Sequence, residues 1–164
     1  MAKYDKEKTL KWLDDNGYKY DKVEHAPVFT MEEMEIAGIT KKGDVVKNLF
    51  LRNAKGDKHY LVCVPEDKKV DLTKLAMCLA STKLSFGSPE RLDKYLGVTQ
   101  GSVSPISILN DENHEVIVAF DQSLMGKERI GFHPCENTAT CFLPFKDIKK
   151  IIEGQGNKFM SIKI

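Results

Sequence analysis

Val45-Val46-Lys47-Asn48-Leu49-Phe50-Leu51-Arg52 is followed, across Asn53-Ala54-Lys55-Gly56-Asp57, by Tyr60-Leu61-Val62-Cys63-Val64. Both runs are rich in branched and aromatic residues, and the link between them contains glycine. The pair therefore reads as a β-hairpin with a longer loop. Upstream of it, residues 4–16 read as a helix with Leu10 and Leu13 on one face and Gly17 as its stop, and residues 18–23 read as a short strand. Thr30 caps a second helix, with Glu33 three residues on completing a capping box and Gly38 as its end. Downstream, Asp71 opens a helix through Leu79, and Ser88-Pro89 opens another that stops at Gly97. Residues 106–109, 116–120 and 138–142 read as strands, 144–152 as a late helix and 159–162 as a final short strand. Hairpins interspersed with helices, without a regular βαβ repeat, predict an α+β or mixed α/β fold. It is read as a single domain over residues 1–164, with a largely antiparallel mixed sheet covered by helices.

The composition suits that reading. The chain has 164 residues, with 41% hydrophobic and 30% charged, enough for one ordinary domain with a real core. Its formal net charge of +1 does not announce a nucleic-acid binder, so contact with RNA would rest on a local basic patch. The charged N-terminus lacks the apolar run of a signal peptide, and no stretch approaches the length needed to span a bilayer. A cytoplasmic protein without a membrane partner is the expectation. Cys63, Cys78, Cys135 and Cys141 form no CxxC pair, and the four histidines are dispersed, so no metal site and no cofactor are expected. Cys63 and Cys78 sit in apolar contexts and read as reduced core thiols. No GxGxxG, GxxxxGK[ST] or GxSxG motif is present, which disfavours nucleotide-binding enzymes and serine hydrolases.

Three places break local rules. Lys47 interrupts an apolar row made with Val45, Leu49 and Leu51, so its ammonium needs an anion or must reach a rim. An edge-strand lysine that guards against aggregation is the alternative. Gly101-Ser102-Val103-Ser104-Pro105 lies between a helix and an apolar run, and such a loop can aim several N–H groups at one point. It also reads as an ordinary connecting turn. Gly131-Phe132-His133-Pro134, followed by Asn137-Thr138-Ala139-Thr140, gathers an imidazole, an amide and two hydroxyls around a bend. Turn chemistry alone also accounts for it.

In order and spacing, these segments together with Glu24-His25-Ala26-Pro27-Val28-Phe29-Thr30 resemble a known family. It is the editing (insertion) domain of bacterial prolyl-tRNA synthetase and its free-standing, YbaK-like relatives. The resemblance covers residues 23–143. Its hallmark pair, a lysine and a GxxxP loop, falls here at Lys47 and at Gly101 with Pro105. The resemblance implies hydrolysis of the ester that links a wrong amino acid to the 3′ end of tRNA for proline, with water as nucleophile and no metal. Lys47 and Gly101 are the implied catalytic residues, Lys47 holding the terminal adenosine through its phosphate. Lys47, Asn48, Gly101, Ser102, Val103, Ser104, Pro105, His133, Asn137 and Thr138 are the implied substrate-binding set. The chain looks most like the free-standing alanine branch, acting in trans. A cysteine-specific deacylase and an inactive tRNA-binding relative stay open. The implied partners are the acceptor end of tRNA for proline carrying a wrong amino acid and, transiently, prolyl-tRNA synthetase.

Overall fold

The decisive hairpin forms with the expected register. In the computed structural model, which describes residues 4–24, 44–136 and 138–164, β2 (Asp44–Arg52) pairs antiparallel with β3 (His59–Pro65), Lys47 opposite Val64 and Arg52 opposite His59. The helix expected after Thr30, the motif from His25 to Thr30, and Asn137 lie outside the described residues. Around the hairpin the described residues build an eight-stranded mixed sheet. The strands β1 (Asp21–Glu24), β5 (Val116–Asp121), β6 (Ile130–Phe132), β7 (Ala139–Leu143) and β8 (Phe159–Ile162) order as β1-β7-β6-β2-β3-β5-β8, and the short β4 (Ser85–Phe86) pairs with the far end of β2. The β1/β7, β6/β7, β2/β3 and β2/β4 pairs are antiparallel. The β2/β6, β3/β5 and β5/β8 pairs are parallel. The centre of the sheet is thus more parallel than its hairpins suggest.

Parallel central strands need cover on both faces. β3 is buried along nearly its whole length, and β2 alternates between two cores. Val46 and Phe50 face the larger core, with Leu61, Cys63, Phe120 and the apolar faces of α1 (Lys6–Asp15), α3 (Pro89–Leu96) and α4 (Phe145–Gln155). Leu49 and Leu51 face the smaller core, under Leu75, Ala76 and Leu79 of the segment that begins with α2 (Leu72–Cys78).

The helix signals act as read. The Asp71 carboxylate accepts from the Thr73 N–H at 2.8 Å. Ser88 Oγ accepts from the Arg91 N–H at 3.2 Å, and α3 ends on Gly97 at φ 64°. Each such cap stabilises its helix by about 1 kcal/mol. One strand expectation fails. Residues 106–109 belong to a 3₁₀ segment, Pro105–Asn110, buried from Pro105 to Leu109. Burial on all sides erases the periodicity that tells strand from helix. The deciding residues are local: Pro105 fixes φ at the start, and the Ser107 N–H donates to the Ser104 carbonyl at 3.0 Å. Among the described residues, no helix is long and apolar enough to cross a membrane.

Candidate active site

Lys47 is half-buried on β2, and its ammonium donates to the Lys68 carbonyl. That carbonyl belongs to the segment between β3 and α2, which is pinned by the Lys68–Asp121 ion pair at 2.9 Å. Burial pushes the Asp121 carboxyl up, but hydrogen bonds from Lys68 and Ser123 outweigh it and hold the group below its ordinary value. Among the described residues Lys47 makes no ion pair. Among the described residues its ammonium is held by a neutral acceptor and meets no carboxylate.

Beside Lys47, one edge of β2 is covered by no described strand. The Asn53 N–H donates to the Lys58 carbonyl at 3.1 Å, which fixes the phase of the β2/β3 ladder. Odd-numbered residues of β2 bond to β3, and the N–H and C=O groups of Val46, Asn48 and Phe50 turn to the other edge. On that edge β6 pairs only as far as Val45, while β4 begins at Leu51, with the Gly87 N–H on the Phe50 carbonyl. Asn48 lies in the gap, its peptide groups taken up by no strand among the described residues. Its side chain is fixed from behind, Oδ1 accepting from the Cys63 thiol at 3.1 Å.

The register also sets His133. Val45 lies opposite Gly131 in the parallel β2/β6 pair, so His133 falls level with Lys47 just beyond the last pair. Adjacent strands run about 4.8 Å apart. His133 Nδ1 donates to the Ala139 carbonyl at 3.0 Å, which fixes the orientation of the ring. The bend is tight: the Cys135 N–H donates to the His133 carbonyl at 2.9 Å, and Cys135 takes φ 65°. Thr138 Oγ1 accepts from Lys6 Nζ at 3.4 Å, and the Lys6 N–H donates to Glu136 Oε2 at 2.9 Å, so the start of α1 holds the outside of the bend.

The GxxxP loop lies over the larger core, where Val103 packs. Residues Thr99 to Ser102 form a four-residue turn closed by the Ser102 N–H on the Thr99 carbonyl at 3.1 Å. Gly101, third in that turn, has φ 92°, the conformation that demands glycine in a type II turn. The Ser104 N–H donates to Ser107 Oγ at 3.1 Å. Two of the loop's N–H groups are therefore committed internally. Those of Gly101 and Val103 meet no acceptor among the described residues. Ser104 Oγ is buried and also lacks a partner there.

Ser107 joins the loop to the histidine bend. Besides accepting from Ser104, its hydroxyl lies near enough to the Cys135 thiol, which Thr9 holds at 3.4 Å, to offset part of the burial that raises the thiol's pKa. Strand register thus sets His133 level with Lys47, while the Asn48 side chain lies on the opposite face of β2. Residues Gly101 to Pro105 are tied to the same bend through Ser107, and Thr138 faces α1. Sequence reasoning missed Ser107, Cys135 and Lys68; the Ser104-Pro105-Ile106-Ser107 spacing was the one available signal for the first.

Burial pushes the Cys135 thiol up to about 11 and that of Cys141 to about 12, and it raises Cys63 further still. These thiols stay protonated and are no nucleophiles. Cys78, read as a core thiol, is exposed: it ends α2 on the solvent side. Among the described residues, no three His, Cys, Asp or Glu side chains gather where they could hold a metal ion.

A family model described as an aminoacyl-tRNA editing domain matches residues 25–151. The chain belongs to the aminoacyl-tRNA editing family. An editing domain is a deacylase, so the chemistry of this chain is hydrolysis of an aminoacyl ester. It is 46% identical over 159 residues to the prolyl-tRNA editing protein ProX of Acetoanaerobium sticklandii, covering 97% of both chains. It is 34% identical over 133 residues to prolyl-tRNA synthetase associated domain-containing protein 1 of Danio rerio, covering 80% of this chain and 72% of that one. A crystal structure described as a candidate trans-editing enzyme for prolyl tRNA synthetase shares the fold, with a TM-score of 0.70, 20% identity and 99% of each chain covered.

Proposed function

We propose that this editing domain acts in trans on mischarged tRNA for proline and prefers the alanyl ester. The observation that carries the reading is the 46% identity across 97% of both chains to a prolyl-tRNA editing protein, supported by a histidine bend level with Lys47 and by a GxxxP loop whose Ser107 partner lies near that bend. In this reading Lys47 attracts the phosphate of the terminal adenosine. The open peptide edge at Asn48 lies where the substrate would enter.

The reaction adds water to the ester carbonyl. Negative charge collects on the carbonyl oxygen, and collapse of the tetrahedral species expels the ribose oxygen, which takes up a proton. The products are the free amino acid and tRNA with its terminal hydroxyl restored. The charge needs donors in place before it develops. The Gly101 and Val103 N–H groups, which meet no acceptor among the described residues, are the loop's donors for it, set by the Gly101 turn and the Ser104–Ser107 bond. His133 supplies a wall on the side of β6. Its ring is fixed by Ala139, and a fixed wall favours a methyl side chain over a pyrrolidine ring because overpacking a rigid pocket costs about 1–3 kcal/mol. Ser102, Ser104, Pro105 and Thr138 shape and brace the pocket; Asn137 completes the set.

Acting on released tRNA implies a cytoplasmic location beside the translation machinery and transient contact with prolyl-tRNA synthetase. The test is the initial rate of deacylation of alanyl-, cysteinyl- and prolyl-tRNA for proline. Fastest cleavage of the alanyl ester with the prolyl ester spared is expected. Faster cleavage of the cysteinyl ester would move the chain to the cysteine branch, and no cleavage of any would make it a binding relative.

A further inference from the structure

Past the open edge, β2 runs on to Arg52, in the order Asn48, Phe50, Arg52 along one face of the strand. There it meets the turn from Asn53 to Lys58. A single oxygen, Asn53 Oδ1, accepts from the N–H groups of Gly56 (2.8 Å), Asp57 (3.1 Å) and Lys58 (3.2 Å). Asn53 Nδ2 also donates to Asp57 Oδ1 at 2.7 Å, which occupies the turn's only carboxylate. A Cβ at Gly56 would lie 2.9 Å from Arg91 Nη2 and 3.0 Å from Arg52 Nη1. The two guanidinium groups therefore converge over the Gly56 backbone, within about 6 Å of each other, a like-charge pair that a bridging anion would relieve.

Arg91 is held there by neutral groups. Its Nη1 donates to the Gly56 carbonyl at 3.0 Å and to His59 Nε2 at 2.9 Å. An arginine only donates, so His59 must accept and stay neutral. His59 is buried between the Phe50 and Tyr95 rings; burial first, then the charges of Arg91, Lys94 and Arg52, push its pKa down to about 4. No ion pair of the described residues involves Arg52 or Arg91. Exposed Lys55 and Lys58 flank them. Among the described residues the place is thus a pair of converging guanidiniums without a carboxylate partner, Arg91 held by hydrogen bonds and Arg52 left to reach a ligand, an arrangement that suits phosphate oxygens.

We propose that Arg52 and Arg91 form a phosphate site for the acceptor arm of the substrate RNA, outside the catalytic pocket. The proposal rests on the deacylase reading above. Its distance from the pocket fits: four residues of strand from Asn48 to Arg52 span about 13 Å. That is the length of about four stacked nucleotides, so the phosphate reached lies where the unpaired 3′ tail joins the stem. The net charge of +1 hides the site, because basic and acidic residues balance elsewhere on the chain.

The test compares Arg52→Gln with wild type, since among the described residues the Arg52 side chain has no hydrogen bond that its loss would break. Substrates are alanylated full-length tRNA for proline and an alanylated 3′ fragment that lacks the stem. The expected result is a KM about tenfold higher on full-length tRNA with kcat held, and less than a twofold change in kcat/KM on the fragment. Fluorescence anisotropy with uncharged tRNA should give a plot of log affinity against log salt whose slope falls by about one. Arg52→Lys should recover part of the affinity, as a point charge without the fork. An unchanged KM and salt slope would overturn the site, as would equal losses on tRNA and fragment. Protection of the Arg52 Nε–H signal by millimolar inorganic phosphate, without any effect of the variant on RNA binding, would assign the fork to a small anion and overturn the proposal. The binding assay needs no turnover, so a failure of the deacylase reading is seen in the rates and a failure of this site in the anisotropy.

Discussion

Gly101→Ala tests the loop on two separable scales. Gly101 holds φ 92° as the third residue of the turn closed by Ser102 on Thr99. A Cβ in left-handed backbone costs about 1–2 kcal/mol, because it crowds the adjacent carbonyl. In a domain of this size each kcal/mol moves Tm by about 2–4 °C, so the melt should fall by about 2–8 °C. The rate should fall further. If the turn relaxes, the Gly101 and Val103 N–H groups swing away from the developing oxyanion, and one lost donor of this kind costs about a hundredfold or more in kcat. The assays are a thermal melt and single-turnover deacylation of alanyl-tRNA. Gly101→Asn is the control: asparagine tolerates the left-handed region better than alanine, so it should melt higher than the alanine variant while remaining slow, its side chain obstructing the loop. Wild-type kcat with a lowered Tm would show that the turn is structural only. An asparagine variant no more stable than the alanine variant would refute the backbone argument.

Lys47→Met should fold normally and lose about tenfold to a hundredfold in kcat/KM, the value of a hydrogen bond to a charged partner; wild-type rates at subsaturating substrate would remove Lys47 from the site. His133→Ala should raise the rate on prolyl-tRNA relative to alanyl-tRNA by about tenfold through the enlarged pocket, read as the ratio of initial rates; an unchanged ratio makes the histidine a turn residue only. His59, neutral and depressed to about 4 in the folded chain against about 6.5 unfolded, binds fewer protons folded than unfolded in that window. Stability should therefore fall as pH drops from about 6.5 toward 4, by at most about 3 kcal/mol, and His59→Gln should flatten the slope in urea melts at pH 7 and pH 5; an equal slope in the variant would sink the assignment.

The parts of this molecule that were legible in its sequence are those whose cause is local. Asp71, Ser88 with Pro89, and Gly97 mark helix ends because caps are made within one turn, and the β2/β3 hairpin is written in two branched, aromatic runs beside a glycine loop. The 3₁₀ segment after Pro105 was misread because its apolar run is buried throughout and carries no period. The parallel pairs of β2 with β6 and of β3 with β5 join strands far apart in sequence, and nothing local encodes which strand sits beside which.

The site divides along the same line. Lys47 was visible as a charge in an apolar row, Gly101 and Pro105 as backbone specialists, and His133 as a ring beside a proline. What brings them into one assembly was not visible, since it consists of partners chosen by tertiary packing: the Lys68 carbonyl under Lys47, and Ser107 between Ser104 and Cys135. Each is an ordinary loop or core residue taken alone. The same holds for Arg52 and Arg91, 39 positions apart in the sequence but converging on one glycine. A charge that the fold leaves without a counter-ion is a property of the assembled structure. Among the described residues it occurs twice on β2, at Lys47 and at Arg52, which side-chain alternation places on opposite faces of the strand.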